Sequence, residues 1–441
     1  MKIVGIIAEY NPFHNGHKYH LEQAKAVTGA QIAVAVISGS VTQRGEAAAW
    51  DKWTRAAMAV ENGVDLVLEL PFAFACNSAE EFARGGVAVL RSLGCVTDLV
   101  FGCESDPETL ISMASASVQN EDAFQAAIAG GMVEGLSYPV ARSRALLNFL
   151  PEKDGKIDRE TAWDRPNDIL GAEYVRQLLL QKTAMAPHGV LRRGGYHDSE
   201  IQEPGEGELR FSSATAIRRA WKDQRREEAR SALPAETRRV LEGRDGLCPC
   251  ETDGLDGMIL YRLLQLGPEG LRSVYGCSEG LEYRLWNALP QCRTAEELLA
   301  AAASGRYPTA RLRRLLMHAL VGTTDSEFQR LKEMAMKEGL YARVLGCSEA
   351  GAGLLRQIKL TRRHFGYTNL NRELSKEEKR IVRGEVAVEG DAGQSRLLSL
   401  KWDVRAADVC RLAQGEALYD GSDFVTTPYI GHKNEKTTKS S

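Results

Sequence analysis

Ile3-Val4-Gly5-Ile6-Ile7-Ala8-Glu9-Tyr10-Asn11-Pro12-Phe13-His14-Asn15-Gly16-His17 is the stretch on which the fold turns. The continuous apolar run over residues 3–8 fits a strand covered on both faces, as in a parallel sheet. Glu9 ends the run, and a loop then delivers two histidines, three residues apart, to the start of a helix. Leu21, Ala24 and Val27 fall on one side of that helix, and Gly29 is placed to stop it. Gly16 has no Cβ, so backbone can approach a ligand closely, and the free N–H groups of a helix start favour an anion. His14 and His17 can then hydrogen-bond phosphate oxygens as charge builds on them. Two blander readings compete: histidines that only cap the helix, and a His-x-x-His chelate for a metal. No third His, Cys or carboxylate lies at a recognisable metal spacing, so a phosphate site without a bound metal is expected.

Outward from this stretch the same alternation repeats. Strands are expected over 32–37, 64–70 and 97–101, and helices over 51–61 and 78–93, where Ser78 and Glu81 have capping-box spacing. Strand–helix repeats of this kind predict an α/β fold, a Rossmann-like doubly wound parallel sheet with right-handed connections. Ligands of such sheets sit beyond the carboxyl ends of the strands. That places the loops at 9–17, 38–45, 70–78 and 102–106 on one rim. Asp65, Glu69 and Asp98 lie within or beside strands and are read as structural. Lys52 and Arg55 either add positive charge to the rim or form a solvated helix face.

Beyond residue 106 the pattern becomes mainly helical. A helix begins at Pro166, and Phe211-Ser212-Ser213-Ala214-Thr215-Ala216-Ile217-Arg218 reads as a loop, a serine N-cap and a further helix. Ser213 and Arg218 at such a start suit the β- and γ-phosphates of a nucleotide. The division expected is an α/β unit over 1–230, a helical region over 231–340 and a small mixed region over 341–441 with a polar tail.

At 441 residues, with 44% apolar and 26% charged residues, the chain has an ordinary globular composition. The net charge of -3 excludes a generally basic nucleic-acid binder but leaves room for a local basic face. Glu9 interrupts the N-terminal apolar run far short of a membrane span. Nine scattered cysteines, of which only Cys248 and Cys250 are close-set, read as reduced thiols of a cytoplasmic protein. Arg306, Arg311, Arg313 and Arg314 near Tyr307, and Arg356, Lys359, Arg362, Arg363 and His364 near Phe365 and Tyr367, have the basic–aromatic mixture that suits RNA.

The segment from Glu9 to His17, together with Gln43-Arg44-Gly45-Glu46, Asp51-Lys52-Trp53-Thr54-Arg55, Glu69-Leu70-Pro71-Phe72-Ala73, Pro166-Asn167-Asp168-Ile169-Leu170-Gly171 and Tyr196-His197-Asp198, resembles the tRNA(Met) cytidine acetate ligase family. That family lies in the nucleotidyltransferase superfamily, with cofactor adenylyltransferases and class I aminoacyl-tRNA synthetases. The resemblance is dense in the first half and thinner beyond. It implies ATP as a substrate, acetate as the acid it activates, and elongator tRNA(Met) as the acceptor, with no membrane partner. ATP would be held by Ile7-Ala8-Glu9-Tyr10-Asn11-Pro12-Phe13-His14-Asn15-Gly16-His17-Lys18-Tyr19-His20, by Gly102, by Asn167 and by Arg192 or Arg193. Mg2+ ordinarily accompanies ATP, although no ligand set for it is readable. The resemblance also implies that the anticodon loop lies over the strand rim with its cytidine unstacked. Two other functions fit the motifs less fully: a cofactor-type adenylyltransferase, and a non-catalytic RNA-binding protein with a vestigial nucleotide fold.

Overall fold

The computed structural model describes residues 1–150, 165–192, 210–243, 253–278, 280–361, 366–386, 392–418 and 423–431. Arg193, Tyr196-His197-Asp198, Cys248, Cys250, the segment 362–365 and most of the polar tail lie outside the described residues. The expected strands and helices form in order: β1 (Ile3–Ala8), α1 (Asn15–Thr28), β2 (Ile32–Ser38), α2 (Lys52–Glu61), β3 (Leu66–Leu70), the single turn α3 (Phe72–Ala75), α4 (Ala79–Leu93) and β4 (Asp98–Cys103). Gly29 adopts the left-handed conformation (φ 65°) that closes α1. Only half of the capping box at α4 forms. Ser78 accepts from the Glu81 N–H, but the Glu81 carboxylate turns to Arg84 and Lys332, each at 2.8 Å. A second cation outcompetes the backbone N–H for that carboxylate.

A fifth parallel strand, β5 (Ala186–Leu191), pairs with β4. The helical second half then returns to the sheet. Strand β6 (Ala342–Cys347) runs antiparallel to β3, and β7 (Gly366–Tyr367) and β8 (Tyr429–Ile430) pair with β6. The order is β5-β4-β1-β2-β3-β6-β7, with β8 beside β6, so the order reverses at β1, next to β4. The fold is thus a mixed, largely parallel nucleotidyltransferase-type sheet wrapped by helices. Side chains alternate between two cores, as a strand with both faces covered must. Ile3, Ile7, Val34, Val36, Leu66 and Leu68 enter one, and Val4, Ile6, Ala33, Ala35, Ile37 and Val67 the other. On the first face α4 lies so close that a Cβ on Gly86 would come within 2.6 Å of Ile7 Cδ1. Only glycine permits that approach.

The two halves of the chain are tied by a buried ionic cluster. Lys52 on α2 places Nζ 2.7 and 2.8 Å from the two Glu69 oxygens and 2.7 Å from Asp423 Oδ1. Arg343, opposite Glu69 in the β3–β6 register, reaches Asp423 Oδ1 at 3.2 Å and its carbonyl oxygen at 2.8 Å. Burial alone would strip the proton from Lys52, but Asp423 and Glu69 outweigh it and hold the ammonium. Neither sequence reading of Lys52 and Arg55 holds, because both are fully buried. Arg55 braces the rim from behind, donating to the carbonyls of Trp50, Glu9 and Gly39. Asp65 and Asp98 are structural as expected: Asp65 accepts from Ala33 N and Ser348 Oγ, and Asp98 meets His188.

Removing Lys52 leaves Glu69 and Asp423 buried together without their cation. Lys52→Ala is therefore expected to cost about 3–5 kcal/mol in urea unfolding. A loss below about 1 kcal/mol would show that the cluster does not hold the sheet.

Candidate active site

The loop leaving β1 turns sharply. Tyr10 takes a positive φ of 50°, and its ring packs edge-on to Phe13 and His17 at 4.7 and 4.8 Å. The helix start that follows is capped by its own histidines. His14 Nδ1 accepts from Gly16 N at 3.0 Å, and His17 Nδ1 accepts from His14 N at 3.3 Å, a reciprocal cap. The imidazoles stack with centroids 3.8 Å apart. A side chain on Gly16 would come within 2.9 Å of the His14 ring, so glycine is required there. Because His14 Nδ1 is an acceptor, its neutral ring carries the proton on Nε2 and can donate from that atom.

These groups stand in a cleft of about 670 Å3 at the carboxyl ends of the central strands. Ile7, Ala8, Glu9, Tyr10, Asn11, His14, Gly16, His17, Tyr19 and His20 line it from the first loop and α1. Gly102, Asn167, Arg192, Ser213 and Arg218 line it from elements far away in sequence. Ser213 is the N-cap of helix Ala214–Lys222, accepting from Ala216 N at 3.1 Å. Arg218, one turn on, donates to the Asn11 carbonyl at 2.9 Å, which sets its guanidinium beside the first loop. Arg192 donates to Asn167 Oδ1 at 2.9 Å, and Asn167 donates to Glu104 at 2.6 Å. A Cβ on Gly102 would sit 3.4 Å from Arg192 Cγ, in the gap between that side chain and His20.

Four of the expected contacts do not line the cleft. Pro12 and Phe13 lie behind the loop, with Phe13 in the core. Asn15 Nδ2 donates to the Arg210 carbonyl, and Lys18 pairs with Glu236 at 3.1 Å. Their sequence neighbours face the ligand space while these four hold the loop and α1 in place. The cleft also has walls that the sequence reading did not list. Thr42, Gln43, Arg44 and Glu46 come from the loop after β2, and Phe82, Phe101, Leu170 and Tyr174 form an apolar side. The first group lay in a rim loop already expected and carried a visible motif. The second arises where α4, β4 and helix Pro166–Leu180 meet, for which no local signal exists.

Burial and neighbouring arginines keep the cleft's histidines neutral. Burial is the chief cause that lowers His14 to about 3, with Arg192 and Arg218 adding to it. His17 is pushed well below its usual range by burial, then by His14, Arg192 and His20. His20 falls to about 4 through burial, partly offset by the Phe101 carbonyl, with Arg192 pressing further. All three rings are therefore neutral at pH 7, and an anion entering the cleft would favour their protonation. Among the described residues no three His, Cys, Asp or Glu side chains gather to hold a metal ion.

The basic–aromatic surface differs from expectation. Tyr307 is only 8% exposed, with Arg311 over its ring at 5.2 Å and Arg284 at 6.0 Å. Tyr367 is likewise buried. Neither ring is free to stack on a base. Arg313 is engaged by Glu46 and Glu296 at 3.1 and 2.8 Å.

A doubly wound sheet with a His-x-Gly-His helix start, a second capped helix start and converging arginines defines a nucleotidyltransferase. The family described as HIGH Nucleotidyl Transferase matches residues 1–420. The tRNA(Met) cytidine acetate ligase of Bacillus velezensis is 39% identical over 359 residues, covering 80% of this chain and 84% of that protein. The enzyme of the same name from Alkaliphilus metalliredigens is 34% identical, covering 97% and 99%. The crystal structure of Thermotoga maritima TmcAL bound with alpha-thio ATP superposes with a TM-score of 0.82 at 32% identity, covering 98% and 99%. The chain belongs to the tRNA(Met) cytidine acetate ligase family. No helix among the described residues is long and apolar enough to cross a membrane.

The buried histidines set a pH dependence of stability. In the unfolded chain they titrate near 6.5, whereas His14 and His20 in the fold do so near 3 and 4. Between these limits the unfolded state binds more protons, so stability falls as pH drops from about 6.5 toward 4. His20→Gln is expected to flatten that slope in urea unfolding between pH 7.5 and 4.5. A slope unchanged by the substitution would place His20 in contact with water.

Proposed function

We infer that this chain activates acetate with ATP and passes the acetyl group to the exocyclic amine of the wobble cytidine in elongator tRNA(Met), giving N4-acetylcytidine. Family membership over nearly the whole chain supports the ligase activity and ATP as its substrate. The observation that carries the residue assignment is the convergence of His14, His17, Ser213 and Arg218 on one buried cleft at two helix starts.

In the first step an acetate oxygen attacks the α-phosphorus, and the bond to the β-phosphate breaks with its electron pair leaving on pyrophosphate. Acetate offers little surface and no positive charge, so its own binding energy is small. The enzyme's work is to position the reactants and to stabilise phosphate charge. His14 and His17 act on the α-phosphate and the departing pyrophosphate. The hydroxyl and N–H groups around Ser213, with Arg218, take the outer phosphates. Asn167 and Arg192 hold the nucleotide from the opposite wall, beside Gly102 and the main chain of loop residues 7–20, with the Glu9 carboxylate taking no part in holding phosphate. Arg193, outside the described residues, remains the alternative to Arg192. The apolar wall of Phe82, Phe101, Leu170 and Tyr174 suits the acetate methyl group. In the second step the cytidine amine attacks the acetyl carbonyl and AMP departs. The helical region over 231–340 supplies tRNA contacts, and residues 1–230 the adenylation unit.

Incubation with ATP, acetate and elongator tRNA(Met), followed by mass spectrometry of the digested nucleosides, should give acetylcytidine. Intact tRNA left unacetylated would reject this function. Release of pyrophosphate only with a phosphorylated acceptor, indifferent to tRNA, would instead indicate a cofactor adenylyltransferase. Binding of RNA with no ATP turnover would indicate a vestigial fold. His17→Ala is expected to lower turnover by about a hundredfold or more, the scale of a lost oxyanion-type donor. A near-normal rate in that variant would remove His17 from the phosphate site.

A further inference from the structure

Glu9 is out of place in a cleft for anions. ATP carries several negative charges and acetate one, yet two carboxylates stand on the cleft wall, Glu9 and Glu46. Glu46 is engaged by Arg313 at 3.1 Å. Glu9 forms no ion pair among the described residues and sits directly beyond β1, where the strand order reverses. It is held on both sides: Oε1 accepts from Gln43 N at 2.7 Å, and its carbonyl accepts from the buried Arg55 at 2.7 Å. A fixed carboxylate there repels both substrates of the first step. Its presence calls for a donor that arrives later, and a cytosine exocyclic amine is the donor that carboxylates accept from.

Its direction agrees. The Glu9 charge acts on Arg55, Tyr174 and Cys76. Cys76 also feels Arg314. The bond from Gln43 N to Oε1 sets the Glu9 carboxylate against the loop after β2, which meets helix Thr309–Val321. There a Cβ on Gly45 would lie 2.8 Å from Arg314 N. Arg44 on that loop lines the cleft and gives this side positive charge.

We propose that Glu9 is the catalytic base of the acetyl-transfer step, receiving the proton of the cytidine exocyclic amine as that nitrogen attacks acetyl-adenylate. The nitrogen lone pair forms the C–N bond. The carbonyl carbon's bond to the AMP oxygen breaks, and its electron pair leaves with AMP. The proton passes to the Glu9 carboxylate and from there to water. This role rests on the function proposed above.

The two half-reactions separate the claims. Full-length parent, Glu9→Gln and Glu9→Asp are compared in acetate-dependent ATP–pyrophosphate exchange without tRNA, and in single-turnover acetylation of elongator tRNA(Met). The ratio of transfer to exchange should fall by about a hundredfold or more in Glu9→Gln, the scale of a lost general base. Acetyl-adenylate should accumulate in acid-quenched samples, and Glu9→Asp should lie between the two. Exchange and transfer falling together, or neither falling, would overturn the proposal. A parent chain without acetate-dependent exchange would remove the function itself, and this role with it.

Discussion

The N-terminus of α1 must be capped, and in this protein the cap and the candidate ligand-binding groups are the same side chains. His14 and His17 satisfy backbone N–H groups through Nδ1 while standing in a cleft that holds them neutral. A serine or aspartate would cap as well. An aspartate would place a negative charge where polyphosphate is proposed to sit, and a serine is too short to reach past the helix end. Imidazole meets both demands, because one ring nitrogen faces the backbone and the other carries a donor. The requirement for glycine at 16 follows from the His14 ring lying over that position.

That arrangement is rigid only because the rim behind it is braced. Arg55, without exposure, gathers carbonyls from Glu9, Gly39 and Trp50, which fixes the first two rim loops to each other. Asn11 adds a second tie, accepting from Ala49 N at 2.9 Å. Beside it the Lys52–Glu69–Asp423–Arg343 cluster joins α2 and β3 to the C-terminal residues. Buried charges are tolerable here because each finds an opposite partner. The rim of the parallel sheet is thereby linked to the mixed region that follows residue 340.

Charge is distributed by sign rather than in bulk. The chain as a whole carries a net charge of -3, yet Arg44, Arg192 and Arg218 converge on the cleft with three histidines. Such focusing inside low-dielectric walls attracts a polyanion without making the surface basic. Recognition of RNA through exposed aromatic stacking is not what this surface offers at Tyr307 and Tyr367, whose rings are buried under arginines. Phosphate contacts fit it better.

Much was written locally in the sequence. The apolar run Ile3–Ala8, the glycine stop after α1, and the serine cap at 213 each depend on neighbours within a few residues, so strands, caps and the rim loops could be read directly. His14 and His17 were legible for the same reason, since their partners are their own backbone. What only the tertiary structure decided was which distant groups meet. Arg343 faces Glu69 because β6 joins β3 antiparallel after more than two hundred intervening residues. Phe82 and Tyr174 wall the cleft because α4 and helix Pro166–Leu180 meet there. Sequence leaves Lys52 between rim charge and a solvated helix face, because periodicity registers a polar side chain but not a buried carboxylate waiting for it. Long-range pairing leaves no periodic trace, and the burial of charge is decided by that pairing alone.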